Sequence, residues 1–535
     1  MINRSAAWLT LLLLPACAPG DSPGDPDSAA PGAYDLLIAG GNVVDGTGAP
    51  ARRADVLVRS GRIAHVGEMD ADTIDAGIRE TFDATGLVIA PGFIDAHAHG
   101  DPTDPETNRF ENFLAQGVTT IVLGQDGGSS PAAELAAHLD SVAAARPGVN
   151  VAYLVGHNTI RRESGVEFGD PGTEGLVRMS ELVAQGLEAG AFGLSTGLEY
   201  DPGSRAGFDE LVAVARPVAE VGAVVSSHLR SEDADRVEES LDELIAQGRH
   251  SGARVHASHL KIVLGRDTVR AAALLDQMAR ARAEGVEVTA DVYPYTASYT
   301  GIGILFPDWA KPPNDYDSVL AERRDELADY LRERVESRNG PEATRFGTGN
   351  LAGRTLAEVA ERRGVPYEDV LVELGPDGAS AAYFVMDENV MRWLLRDPNV
   401  AVSSDGSPTM LHPRGYGSFA KVIRRYVVEE AEFTIEEAVR KMSGLTAQIF
   451  RLDDPTLVDA PRGQVAADFA ADLVAFDPAE VEDRADFERP HLWAGGMRAV
   501  WVNGRLAWRD GEPPAAEQGE TAEHASHGKV LRARR

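Results

Sequence analysis

The chain has 535 residues, 43% of them apolar and 25% charged, an ordinary globular composition with material for one large core and a smaller domain. Its 84 Asp and Glu against 51 Lys and Arg give a net charge of −33, a sign that argues against nucleic acid or an anionic membrane as an electrostatic partner. The single cysteine, Cys17, excludes an intramolecular disulfide.

At the N-terminus, Arg4 precedes an apolar stretch over residues 6–14, too short to span a bilayer and of the size of a secretory signal's apolar core. Leu14-Pro15-Ala16-Cys17 resembles a bacterial lipoprotein cleavage box, with Pro15 departing from the usual small residue. Residues 1–17 are therefore expected to direct export to the periplasm, with a lipid on Cys17 as the only membrane attachment. Alanine rather than aspartate at position 18 implies, by the same resemblance, the outer membrane. Residues 18–33, rich in Pro, Gly, Asp and Ser, read as a flexible tether.

Residues 34–90 carry the marks of short antiparallel strands, such as Asp35-Leu36-Leu37-Ile38 before Gly40-Gly41 and Asp55-Val56-Leu57-Val58. A matching set returns at residues 473–476 and 498–504. Between these ends strands alternate with helical patterns, for example residues 180–187 and 241–246, which predicts a parallel α/β barrel over residues 91–455. From about residue 302 to 377 the strand rhythm fails and a charged helical stretch takes over, read as an insertion carrying a lid over the barrel mouth. The polar tail, residues 511–535, lacks periodicity and is expected to be disordered.

The most informative motif closes an apolar run at residues 87–94. His97 and His99 are one residue apart, so on a strand they point to one side and both imidazoles can reach one metal ion. Parallel-barrel enzymes place their chemistry at the C-terminal ends of such strands. Three more short β-prone runs end on a polar group: Val224 onward on His228, Val255 onward on His259, and Val400 onward on Asp405. Four histidines and a carboxylate in one strand-end setting suit zinc or a similar divalent ion, with manganese or cobalt as options, and one or two ions.

At these residues the chain resembles the amidohydrolase superfamily, and within it the N-acyl-D-amino-acid deacylases. The likeness runs from about residue 34 to 509. It rests on Pro91-Gly92-Phe93-Ile94-Asp95, Val155-Gly156-His157-Asn158-Thr159, Gly193-Leu194-Ser195-Thr196-Gly197-Leu198, Tyr293-Pro294-Tyr295 and Ser404-Asp405-Gly406 followed by His412-Pro413-Arg414. The resemblance implies a TIM-like (β/α)8 barrel with a composite β-sandwich built from residues 34–90 plus 456–510. It also implies a metal held by His97, His99, His228 and His259, and Asp405 as the proton carrier that also touches the metal. Lys261, Tyr293 and Arg414 match contacts to the substrate carboxylate, and His157 either lines the pocket or packs.

The chain departs from the family at the metal bridge. Many amidohydrolases use a carboxylated lysine before the third histidine, but the first lysine of this chain is Lys261. The similar deacylases carry a cysteine at the end of the second strand, where this chain reads Gly124-Gln125-Asp126-Gly127. Asp126 is therefore the candidate bridge, since a carboxylate has two oxygens.

Three functions fit these residues. A metal-dependent deacylase would cleave a small N-acyl-D-amino acid to a carboxylate and a free D-amino acid. A related amidohydrolase, dihydropyrimidinase- or dihydroorotase-like, would act on a cyclic amide, or on a small dipeptide. A lipoprotein that only binds a ligand on the same scaffold would have no need of a water-activating metal. The cations Lys261 and Arg414 favour a linear substrate with a free carboxylate. Nothing in the pattern sets the number of subunits.

Overall fold

A computed structural model describes residues 34–69, 77–514 and 526–535. The expected signal and tether, with Cys17, lie outside the described residues, and no described helix is long and apolar enough to cross a membrane.

Eight parallel strands close into a barrel. Phe93–Asp95 pairs with Val118–Leu123, which pairs with Asn150–Tyr153. After Leu154 the third strand continues as Val155–Gly156 and leads through Gly193–Gly197, Val224–His228, Arg254–Ala257 and Val288–Val292 to Val400–Val402, all in parallel register. An isolated parallel bridge between Ala98 and Gly406 joins the last strand to the first. The strands are buried along almost their whole length because helices such as Gly172–Glu188 and Val237–Ser251 cover their outer faces.

The strands from the two ends of the chain hydrogen-bond into one eight-stranded mixed sheet, in the order Arg505–Arg509, Met497–Val502, Leu473–Phe476, Val88–Pro91, Tyr34–Val43, Arg52–Arg59, Arg62–Gly67, with Ile78–Asp83 also on Tyr34–Val43. Alternation divides its side chains between two cores. Ile89, Leu473, Ala475 and Trp501 face the sheet's own interior, while Val88, Ala90, Val474, Phe476 and Val500 pack into the barrel core.

The excursion before the last barrel strand is wider than residues 302–377. Ser298–Gly301 pairs antiparallel with Ser380–Tyr383, and Thr344–Phe346 pairs on its other side, so a small sheet closes the base of the insertion. Its helices bury a core of their own, including Leu327, Leu331, Leu356 and Leu371.

The expected disorder after residue 510 does not hold for residues 526–535. Val151 N donates to Lys529 O, Leu531 N donates to Val151 O and Ala533 N donates to Gly190 O, with Leu531 and Ala533 buried against Phe450 and Val458. The segment lies so close to the barrel that a Cβ on Gly528 would sit 2.0 Å from Val149 O. Ten residues with three apolar positions, Val530, Leu531 and Ala533, are too few for a periodicity to show, and the pairing partner lies some 380 positions away.

Candidate metal centre

The barrel's first and last strands meet through a buried carboxylate. Asp95 accepts from His97 N at 3.1 Å and Ser404 N at 2.9 Å, and Asp405 N donates to His97 O at 2.8 Å. Burial pushes the Asp95 carboxyl up to about 7, against the opposing bonds from Ser404 and His97. This stitching brings His97, His99 and Asp405 to one point. Asp126, His228 and His259 arrive from the ends of the second, fifth and sixth strands.

Three of these six have left-handed backbones: Asp126 at φ 53°, His259 at 37° and Asp405 at 49°. A non-glycine residue there costs on the order of 1 kcal/mol. The strain is held in place by bonds such as that of His259 N to Asp291 Oδ1 at 3.0 Å, and it turns each side chain back over the barrel mouth.

Asp126 is the centre of the cluster. Its Oδ2 lies 3.4 Å from His97 Nε2 and 3.5 Å from His99 Nε2, while its Oδ1 lies 3.2 Å from His259 Nε2 and 3.5 Å from His228 Nδ1. Asp405 Oδ1 is 3.1 Å from His99 Nε2 and 3.8 Å from His97 Nε2. Two ligand sets therefore overlap on one carboxylate, His97, His99, Asp126 and Asp405 on one side and Asp126, His228 and His259 on the other. Both ring nitrogens of the fully buried His97 have no hydrogen-bond partner among the described residues. An orphaned buried imidazole beside two carboxylates is the chemistry of a divalent-cation site, and nitrogen with oxygen donors suits zinc. Burial opposes ionisation of Asp126, but His97, His228 and His259 outweigh it and hold the carboxyl well below its usual range.

Two further carboxylates, which the motifs did not reveal, hold the rings from behind. Glu199 Oε2 is 3.1 Å from His228 Nε2, and Glu232 Oε1 is 3.1 Å from His259 Nδ1. Each meets the nitrogen opposite the one facing Asp126, which sets tautomer and ring orientation. The signal available in the sequence was slight: Glu232 stands four residues after His228, in a loop, and Glu199 two after the strand ending at Gly197.

Beside this cluster sit the two expected cations. Arg414 Nη1 is 2.7 Å from Asp405 Oδ2, and Lys261 Nζ is 2.5 Å from Glu232 Oε1. Both stand over the Tyr293 ring, at 4.8 and 5.7 Å from its centroid, so Tyr293 supports the pair by cation–π contact. Burial opposes ionisation of Asp405, yet Arg414 and His259 keep its carboxyl well below the normal range.

His157 is placed elsewhere. It starts helix His157–Glu163, its Nε2 lies 2.7 Å from Glu210 Oε1, and Arg161 takes the other oxygen. All three are buried and none borders the cavity, so its role is packing rather than substrate contact. The cavity itself, about 460 Å³, has the metal cluster on one wall and residues of the insertion on the other, a size that suits a small acylated amino acid.

Comparison with known proteins places this geometry among characterised relatives. The Amidohydrolase family model matches residues 318–507. The chain is 38% identical to an N-acyl-D-glutamate deacylase of Alcaligenes xylosoxydans xylosoxydans, over 90% of this chain and 94% of that protein. A crystal structure of N-acyl-D-glutamate deacylase from Bordetella bronchiseptica, complexed with zinc and a phosphonate mimic of the tetrahedral intermediate, superposes with a TM-score of 0.78 at 35% identity, covering 94% of this chain and all of that one. A D-aminoacylase structure concerned with its binuclear metal centre superposes at 0.76 and 32% identity, covering 93% of this chain and all of that one.

Proposed function

The chain belongs to the N-acyl-D-amino-acid deacylase family of amidohydrolases, and from that premise we infer that it is a zinc-dependent hydrolase of N-acyl-D-amino acids, releasing a carboxylate and a free D-amino acid. The observation that carries the reading is the pair of overlapping ligand sets at the barrel mouth, set directly against the Arg414 and Lys261 cations.

We propose that His97, His99, Asp126, His228, His259 and Asp405 would hold the metal, Asp126 offering one carboxylate oxygen to each of the two overlapping ligand sets. Bound zinc supplies an activated water and polarises the scissile carbonyl. Asp405 takes the proton of the attacking water and delivers it to the departing nitrogen; its Oδ2 is fixed by Arg414, which leaves Oδ1 to face the reacting groups. Arg414 and Lys261, supported by Tyr293, receive the substrate's α-carboxylate and so orient the amide. These cations favour a linear substrate over a cyclic amide, and so large a set of ligands disfavours a binding-only protein.

The test is a screen of zinc-reconstituted protein on N-acyl derivatives of D- and L-amino acids with amine detection. Hydrolysis restricted to D-substrates and abolished by chelation is expected. Activity on cyclic amides alone would overturn the reading.

We further propose export and lipid attachment at Cys17, with the enzyme tethered on the periplasmic side of the outer membrane. The signal-like apolar stretch and the cleavage box support this. Expression of the full chain in a bacterium should send it into the detergent phase, with Cys17→Ser moving it to the aqueous phase; aqueous partition of both would refute the anchor.

A further inference from the structure

Residues 526–535 include four Lys or Arg and no acid, in a chain whose acids outnumber its bases by 33. Docked at the end of the barrel away from the metal centre, Lys529, Arg532 and Arg534 meet Arg62 and Arg462 around a cavity of about 280 Å³. Asp459 is the one acidic residue on its wall among the described residues.

Two of the five cations have carboxylates of their own. Arg462 Nε lies 2.9 Å from Asp472 Oδ2, and Arg532 Nη2 lies 2.5 Å from Asp140 Oδ1. Asp459 serves the other three. Its Oδ1 is 2.7 Å from Arg534 Nη2 and its Oδ2 is 3.3 Å from Arg62 Nη2, while Lys529 acts on it as a third cation from farther off. Arg534 foremost, with Arg62 and Lys529, holds the Asp459 carboxyl below its ordinary value. Three cations on one carboxylate leave two positive charges unanswered among the described residues. The side chains of Arg62 and Arg534 are 38% and 58% exposed, and Lys529 is exposed, so all three are open to a solute.

We infer that this cavity binds a phosphate group, held as a dianion between Arg62, Lys529 and Arg534. Two charges concentrated on one small group match the two left unanswered, where a single carboxylate would answer only one. Guanidinium forks pair with phosphate oxygens two at a time, and the lysine adds a point charge. Arg62 belongs to strand Arg62–Gly67 of the sheet, whereas Lys529 and Arg534 belong to the docked C-terminal segment, so the bound group ties that segment to the sheet. Soluble phosphate compounds and phospholipid headgroups share this chemistry. The lipid source has a route, because Ser60 on the cavity wall donates its N–H to Asp35, beside the junction with the proposed tether. The net charge of −33 opposes approach to an anionic surface, which favours the soluble source.

The experiment follows thermal unfolding and hydrogen exchange of the metal-loaded full chain in inorganic phosphate, against sodium chloride of equal ionic strength, at about pH 8, where phosphate is a dianion. Phosphate should raise Tm and slow exchange across residues 526–535. Lys529→Gln or Arg534→Gln should raise the concentration for half effect at least about tenfold. Lys529 holds the barrel through its backbone, its N–H donating to Asn150 Oδ1 at 3.0 Å, so Lys529→Gln keeps that anchor. Both variants should retain the wild-type kcat/KM. Phosphate acting at the metal centre would inhibit hydrolysis and stabilise wild type and variants alike, and that result overturns the assignment, as does an effect no larger than that of chloride. A second arm floats the full chain carrying Cys17→Ser with phosphatidylcholine vesicles, with and without phosphatidic acid. Flotation only with phosphatidic acid, lost in Lys529→Gln, assigns the phosphate to a lipid; no flotation, with inorganic phosphate still bound, assigns it to a soluble compound. Failure of both arms overturns the site.

Discussion

Asp126 shows how much one side chain can be asked to do. Its two oxygens face separate histidine pairs, so removing it should unmake both ligand sets at once. Asp126→Ala is expected to lose metal content, measured by elemental analysis after gel filtration, together with activity; full occupancy with unchanged kinetics would exclude the bridge. Because carboxylate is a harder donor than thiolate, reconstitution with manganese or cobalt should recover more activity, relative to zinc, in the wild type than in Asp126→Cys. Asp405→Asn should keep its metal and lose hydrolysis, since the amide cannot accept the proton. The displaced His157 gives a prediction about stability. Burial opposes ionisation of Glu210, but His157 and Arg161 hold its carboxyl below the ordinary carboxylate range. A lowered carboxylate contributes stability that is present above about pH 4.5 and is lost as pH falls through the folded value. Glu210→Gln, which leaves buried Arg161 unpaired, should therefore cost about 3 kcal/mol at pH 7 and less at pH 4, by urea unfolding. An equal gap at both pH values would count against the ion-pair account.

At the scale of elements, the decisive pieces are strand tips and one short segment. The strand tips work because left-handed residues reverse the chain just where a ligand is needed, and backbone bonds such as Asp405 N to His97 O hold the strain. Residues 526–535 act at the other end of the barrel. Val530 bridges Val151 near the start of the third strand, and Asn150 joins Lys529 N, Asn503 and Asp472 in one hydrogen-bonded group. Truncation after Ala525 removes this strand addition and uncovers the surface that Leu531 buries, so it should lower unfolding free energy by about 3 kcal/mol while leaving KM unaltered, the metal centre lying at the opposite strand ends. A truncated enzyme of unchanged stability would show that the docking contributes nothing.

At the scale of the whole molecule, the two ends of the chain share one sheet and the barrel lies between them. Leu473–Phe476 pairs with Val88–Pro91, so neither end has a complete sheet without the other. The first described strand starts at Tyr34, and deletion of residues 1–33 should leave a soluble, active enzyme; loss of folding would place the start of the sheet domain earlier. The insertion closes the cavity from the side opposite the metal ligands.

Whereas Asp126, Lys261 and Arg414 came from the resemblance to the deacylases, the barrel and the five candidates His97, His99, His228, His259 and Asp405 were readable because each closes a short β-prone run, and such runs are local. The pairing of both termini was legible for the same reason: two strand-rich blocks with alternating side chains. What alternation could not say was that these blocks form one sheet whose faces serve two cores, since only the packing divides Leu473 from Val474. Tertiary structure alone assigned His157 to Glu210, put Glu199 and Glu232 behind the histidines and laid residues 526–535 on the barrel. Each of these depends on contacts between side chains far apart in the chain and lying in loops or helix ends, where no period links position to direction.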